Sequence, residues 1–401
     1  MKVCFVTANH PPEALGGTEQ VVQALARELR RHGVEIVVVS GSDEPHAGVD
    51  VGREVHDGVV VHRIRKCADE WDRQGFVRPR ILGLVRTLLQ VERPDVLHVH
   101  SSASLGVGVA PLARELGLPV VFTFHDLWVT CARYFRLPIA GVTCPDGADR
   151  EPCVRCVATD VALPPDVVRQ ALAERDRVVR AEVAHANACI APSATTARFV
   201  REYLPFAGAI EVIPHGLLHP VAAADRAVAP QPGERLRVGT FGGLVEAKGV
   251  PELLDAVRGL PCDLYLAGRV HEAAIARRLD AARAAGTTVH WRGPYMRQDR
   301  HPARDLHLAV FPSKCQETYG LVVDEALAHG VPVVCSDAGA LRERDGIGGV
   351  VVTPLAALAE VLRSLVTSAD RLAELRAAIP ATLPTIAVSA ARHLELYSRL
   401  R

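Results

Sequence analysis

The sequence predicts an α/β protein made of two doubly wound, parallel-sheet domains, and three observations predict it. Short apolar, β-branched runs alternate with helical patterns along almost the whole chain, which is the signature of parallel βαβ units. The alternation breaks once, across a Pro-rich stretch at 214–234 that carries Pro220, Pro230, Pro232 and Gly233, and then restarts. The 401 residues are too many for one ordinary core and suit two domains of usual size.

In the first half, residues 3–7 read as a buried strand. Residues 19–31 show helical spacing, with Val21, Val22, Leu25 and Leu29 on one face and Gly33 as the stop. Strands follow at 35–40, 96–100, 120–124, 189–191 and 210–213, with helices at 104–116, 166–186 and 194–204. In the second half, strands are expected at 236–241, 263–267, 288–291, 308–311 and 332–335. The helices between them fall at 250–260, 272–285 and 319–329. A last helix at 386–401 follows Pro384 and is expected to pack back on the first domain. The expected organisation is therefore a first domain at 1–216, a linker at 217–235, a second domain at 236–385 and the terminal helix. A cleft between two such domains is the default ligand site.

Nearly half the residues are apolar and the formal net charge is zero. A neutral chain has no global field to attract nucleic acid, so nucleic acid is not an expected partner. The first apolar run is too short for a signal peptide, and no stretch approaches the ~20 apolar residues of a spanning helix. A cytoplasmic protein is expected, so the ten cysteines are not a disulfide framework. Of 46 basic residues, 42 are Arg and four are Lys, namely Lys2, Lys66, Lys248 and Lys314. In a chain that defaults to Arg, a Lys points to a position that needs a compact ammonium.

The densest chemistry lies in the second half. The run Phe311-Pro-Ser-Lys-Cys-Gln-Glu317-Thr-Tyr-Gly-Leu carries a strand end into a polar loop and then a helix that holds Glu325 roughly two turns in. A loop at the carboxyl edge of a parallel sheet is where such folds bind ligands. Free N–H groups there suit a phosphate, and carboxylates suit sugar hydroxyls. Taken alone, Glu317 reads equally as a capping acid and Glu325 as a solvated helix residue.

The flanks make the pattern specific. Pro312-Ser313 before Glu317-Thr-Tyr-Gly-Leu, then Glu325-Ala-Leu-Ala-His-Gly-Val-Pro, resembles the E-x7-E signature of retaining glycosyltransferase family 4. Phe241-Gly-Gly-Leu-Val-Glu-Ala-Lys248-Gly resembles that family's glycine-rich turn. Pro94-Asp-Val-Leu-His-Val-His100, Phe122-Thr-Phe-His125-Asp126 and Gly16-Gly17-Thr18-Glu19 resemble its N-terminal strand ends and first loop. The resemblance implies the GT-B fold, two facing Rossmann-like domains. It implies a retaining hexosyl-type transferase that moves a sugar from a nucleoside diphosphate sugar, UDP-sugar favoured, to a glycan, lipid-linked or small-molecule hydroxyl acceptor.

By the same resemblance, Glu325 binds the ribose and Glu317 the donor sugar. Lys248 holds the diphosphate, and His125 lies by the donor sugar near the acceptor. Gly16, Gly17, Gly242, Gly243, Tyr319, Gly320 and Leu321 complete the donor site, and loop 336–341 selects the donor. No divalent ion or other cofactor is implied for catalysis. The family carries an Arg where this chain has Gly243, and Arg269 or Lys314 is the candidate substitute for that charge.

Three further expectations are open to test. Cys131, Cys144, Cys153 and Cys156 are spaced C-x12-C-x8-C-x2-C in a loop insertion at 127–160. Four thiolates at such spacing suit a structural zinc, and four free thiols are the bland alternative. His98 and His100 are read as structural and as pointing to opposite faces of their strand. The basic stretch 73–86 reads either as a peripheral membrane contact at the inner face or as a buried helix with snorkelling arginines.

Competing functions are weaker. A nicotinamide dehydrogenase needs G-x-G-x-x-G after the first strand, and residues 8–17 do not carry it. A nucleotide-sugar epimerase should lack the E-x7-E signature. A non-catalytic sugar-nucleotide-binding protein draws its support from the glycine at 243.

Overall fold

The computed structural model describes residues 1–401 apart from 69, 71–74, 146, 148, 205–207, 271, 297 and 298. The chain divides into two compact units, Met1–Leu218 with Thr385–Arg401, and His219–Pro384.

The first unit runs β1 (Lys2–Thr7), α1 (Gly17–Arg31), β2 (Glu35–Gly41), β3 (Asp50–His56), β4 (Val59–Arg65), α2 (Pro79–Glu92), β5 (Val96–Val99), α3 (Val109–Glu115), β6 (Val120–Thr123), α4 (Glu151–Val161), α5 (Pro165–Ala184), β7 (Ala188–Ala191), α6 (Ala194–Tyr203) and β8 (Ile210–Val212). Its eight strands lie in the order β3-β4-β2-β1-β5-β6-β7-β8. All neighbours are parallel except β3, which runs antiparallel to β4. Val3, Cys4, Phe5 and Val6 have no exposed surface, because a central parallel strand is covered by helices on both faces. The strand order reverses at β1, so the loops after β1, β5 and β6 gather at one carboxyl edge.

Helix α3 is shorter than the expected 104–116. It begins only at Val109, because Gly106 and Gly108 hold φ of 83° and 111°, outside the helical region. The insertion at 127–160 is not all loop, since α4 opens inside it at Glu151 with Pro152 in its first turn. In the basic stretch, residues 73 and 74 lie outside the described residues. Helix α2 turns Ile81, Val85, Leu88 and Leu89 into the core, and its Arg80 and Arg86 side chains stay 64% and 44% exposed. Its apolar face is spent on the core. No described helix is long and apolar enough to cross a membrane.

The second unit runs β9 (Leu236–Phe241), α7 (Val250–Ala256), β10 (Cys262–Ala267), α8 (Ala273–Ala284), β11 (Val289–Trp291), β12 (Leu308–Phe311), α9 (Leu321–Ala328), β13 (Val333–Ser336), β14 (Val350–Thr353), α10 (Leu358–Val366) and α11 (Ala369–Ala377). Its six-stranded sheet has the order β11-β10-β9-β12-β13-β14, parallel throughout. Here β9 and β12 are adjacent although far apart in sequence. The loops that follow them therefore meet at the point where the strand order turns.

The last helix, α12 (Ile386–Leu400), belongs to the first unit. Its Tyr397 is fully buried and its hydroxyl lies 2.6 Å from His98 Nδ1 on β5.

Candidate active site

In the second unit, glycines let two loops touch. Gly249 has φ 75°, and a Cβ there would sit 1.8 Å from the carbonyl oxygen of Pro312. Only a glycine allows that approach. The contact is tied by backbone bonds: Lys314 N and Cys315 N donate to the Ala247 carbonyl at 2.9 and 3.1 Å. Drawn together in this way, Lys248 Nζ donates to Glu317 Oε1 at 2.7 Å. The Ser313 hydroxyl donates to the same carboxylate oxygen. Behind it, Ala340 N donates to the Glu317 carbonyl at 2.7 Å, and Gly339, with φ 62°, passes so close that a Cβ would lie 2.3 Å from that carbonyl.

Glu317 is thus held from three sides. Burial alone would lower the pKa of Lys248, but the Glu317 carboxylate offsets this and the value ends above its ordinary one. The ammonium keeps its charge, and its side chain retains 34% of its exposure, enough to meet an incoming anion.

Glu325 lies in the second turn of α9, which opens after Gly320 at φ 83°. Its Oε2 is 3.8 Å from His301 Nε2. The His301 ring stacks on His329 at 4.3 Å and meets Phe241 and Tyr295 edge-on at 5.0 and 5.7 Å. Ala303 N donates to His301 Nδ1 at 3.2 Å, so the neutral ring carries its proton on Nε2, facing the carboxylate. Sequence reading did not name His301, and it held Ser313, Gly249 and Gly339 only as members of motifs or loops, with no role of their own. The His301-Pro302 step opening a helical turn is a local signal for the first; the others need the tertiary contact to be seen.

The remaining predicted donor residues separate. Gly242 has φ 104° and turns the chain at the end of β9. Gly243 faces open space, with nothing within 4 Å of where a Cβ would stand. Lys314 is committed to Glu246 and Glu252, at 3.1 and 3.2 Å. Arg269 is exposed and makes no ion pair with another described residue. Tyr319 is buried, its ring under the Arg344 guanidinium at 4.7 Å, and Arg344 in turn pairs with Asp324 at 2.7 Å. Leu321 begins α9, where first-turn N–H groups lack helical partners.

In the first unit, Gly16 and Gly17 open α1, and a Cβ on Gly16 would strike the Glu19 carboxylate at 2.5 Å. His125 follows β6 and is buried. Its Nε2 lies 2.8 Å from His100 Nδ1, and its ring stacks on His215 at 5.0 Å. Burial lowers its pKa to about 3, so the imidazole is neutral at ordinary pH.

His98 and His100 do not point to opposite faces. Their rings lie 3.9 Å apart, because residues i and i+2 of a strand share a face. They remain packed groups: His98 Nε2 meets Thr123 Oγ1 at 2.7 Å, and both rings sit edge-on to Phe5. The ten cysteines are free thiols. Among the described residues, no three His, Cys, Asp or Glu are already gathered as a metal site.

The sequence and the fold match known proteins. The sequence profile described as Glycosyltransferase Family 4 matches residues 15–217, and that of Glycosyl transferases group 1 matches residues 235–368. The GDP-mannose-dependent alpha-mannosyltransferase of Mycolicibacterium smegmatis is 35% identical over 128 residues, which are 31% of this chain and 32% of that protein. D-inositol 3-phosphate glycosyltransferase 1 of Catenulispora acidiphila is 28% identical over 401 residues, covering 90% of this chain and 85% of the relative. The structure of Anabaena HepE in complex with UDP covers 100% of both chains with a TM-score of 0.67 at 17% identity, a likeness of fold. Two parallel-sheet α/β units of this kind make the GT-B fold. With the first profile spanning half of the sequence, the chain belongs to glycosyltransferase family 4.

Proposed function

We propose that this glycosyltransferase uses a nucleoside diphosphate sugar and transfers its sugar to a hydroxyl acceptor with retention at the anomeric carbon. The observation that carries the reading is the Lys248–Glu317 contact at the carboxyl ends of β9 and β12. An accessible ammonium beside a carboxylate offers one group for the diphosphate and one for the sugar hydroxyls. As the glycosidic bond breaks, negative charge gathers on the leaving diphosphate. A fixed ammonium stabilises that charge more in the transition state than before it.

The bond that forms joins the acceptor oxygen to the anomeric carbon, the bond that breaks frees the diphosphate, and the acceptor proton passes to the departing phosphate oxygen. The depressed pKa of His125 suits a neutral hydrogen-bonding group and not a protonated acid. Glu325, with His301 beside it, suits ribose hydroxyls.

A UDP-sugar is the first donor to test. GDP-mannose, named in two relatives, is the second. Thermal shift against UDP-, GDP- and ADP-sugars, followed by assay of slow hydrolysis, tests the reading, because a tight donor stabilises the chain by mass action. Stabilisation lost in K248A supports it. The open space at Gly243 favours one second reading, a non-catalytic binding protein. Donor binding without turnover, even with acceptor extracts, would establish that instead.

A further inference from the structure

We propose that Cys131, Cys144, Cys153 and Cys156 form a structural zinc site that ties down the segment after His125. The site is independent of the donor chemistry above.

Cys153 and Cys156 stand in the first two turns of α4, and a spacing of three puts both sulfurs on one helix face. Cys131, Cys153 and Cys156 all lie within electrostatic range of Cys144, although up to 25 residues separate the four in sequence. The C-x12-C-x8-C-x2-C set thus shares one neighbourhood, short of metal-binding distance.

Burial pushes the Cys144 thiol up to about 11 and the Cys153 thiol up as well, and guanidiniums beside the sulfurs offset part of this. Arg133 Nη1 donates to Cys156 Sγ at 3.4 Å and Arg150 Nη1 to Cys153 Sγ at 3.6 Å. A third guanidinium, Arg136, acts on Cys144 and is only 4% exposed. It lies over the rings of Phe199 and Tyr203 at 4.4 and 5.0 Å, and its Nη2 donates to the Pro145 carbonyl. Its Nε and Nη1 have no hydrogen-bond partner among the described residues. A buried cation with idle donors is costly unless an anion faces it. Arg133 and Arg150 already have Asp160 and Asp176 as partners, at 2.9 and 2.6 Å, so Arg136 is the charge in need of one.

Four thiols supply that anion when they bind Zn²⁺. Each releases its proton to solvent, no electron changes hands, and the tetrathiolate centre carries a net charge of −2. N–H groups aimed at the sulfurs are what such a centre needs around it. The thiols still have to close in, since no three are yet gathered at metal distance. Cys131 and Cys144 are partly exposed and lie outside helix and strand, which leaves them room to move toward Cys153 and Cys156 on α4. The segment's own apolar cluster is small: Val154, Ala158, Val168 and Leu172 form its buried centre. A metal cross-link would supply what that core lacks.

The test is metal content of the full chain, purified from zinc-supplemented medium without chelator. About one zinc per chain is expected for wild type, as for a closed four-ligand site. C67S, outside the set, should keep it, and C153S should lose it. Misfolding of C153S would also remove the metal, so wild-type protein reconstituted with Co²⁺ provides a second readout. Tetrahedral cobalt–thiolate bands that zinc displaces support the site. Zinc below about a tenth per chain after reduction and zinc addition overturns it. So does a disulfide between any two of the four in non-reducing peptide mapping of freshly purified protein.

Discussion

Lys248 Nζ donates to Glu317 Oε1 at 2.7 Å, joining two loops whose residues stand 69 positions apart in the chain. The pair is poised: each group waits on the other until a ligand replaces one of them. K248A should therefore lower kcat with its donor by ~10²–10³-fold, the scale for removing one transition-state donor. K248R should not restore it, because a planar fork does not fit where a compact ammonium sits. E317Q should lower kcat more than it raises the donor KM. Steady-state kinetics over donor concentration measures all three, and equal kcat for K248A and wild type would remove Lys248 from the chemistry.

Gly243 faces open space, with room for a longer side chain. G243R should fit without strain and tighten nucleoside diphosphate binding by about tenfold, the worth of one charge-assisted hydrogen bond. R269A should weaken the same binding. K314A should leave it unchanged, since that ammonium is committed to Glu246 and Glu252. Calorimetry with UDP and GDP reads each constant directly. Loss of affinity in K314A alone would reverse the assignment.

Gly249 is where the two loops touch. G249A combines a left-handed backbone with a Cβ placed 1.8 Å from the Pro312 oxygen. Strain of this kind costs ~1–3 kcal/mol and moves Lys248 away from Glu317. A lower Tm together with a weaker donor Kd is expected. A lower Tm with unchanged affinity would show that the site tolerates the shift.

His301 faces Glu325 with its Nε2 proton. H301A should raise the donor KM several-fold and leave kcat within about twofold, because uniform binding is lost and not transition-state binding. H301Q, which keeps a donor, should recover part of the loss. A fall in kcat at constant KM would contradict this role.

Five of the buried imidazoles in the first unit act on one another as a cluster. His125 and His393 are lowered to about 3 and about 4, and His98, His100 and His215 fall well below their ordinary value, each chiefly by burial. All five are neutral when folded but protonate near pH 6.5 when unfolded. The unfolded chain then binds more protons between about pH 6.5 and pH 3–4, so stability is full above that window and falls with pH inside it. Each such imidazole steepens the loss by up to ~1.4 kcal/mol per pH unit. Tm measured from pH 8 to pH 5 should drop on the acid side. A flat profile would mean that the cluster takes up protons while folded.

Much of this protein was legible in its sequence. Strands β9 and β12 occupy 236–241 and 308–311 as read, because strands buried on both faces appear as unbroken apolar runs. β3 escaped notice, since Asp50–His56 is an edge strand with exposed residues along it and no buried face to set a pattern. Helix α4 was hidden by the Pro and Gly around it.

The sequence by itself determined the residue types of the candidate site and their order, Lys248, Glu317 and Glu325, because backbone turns at strand ends restrict what can stand there. Tertiary structure alone decided which of them meet. It set Lys248 on Glu317, drew Lys314 aside to two other carboxylates, put His301 in front of Glu325 and laid His98 against His100. Contacts between loops of one sheet edge depend on strand order, and strand order is fixed by packing across the whole sheet, which no local pattern records.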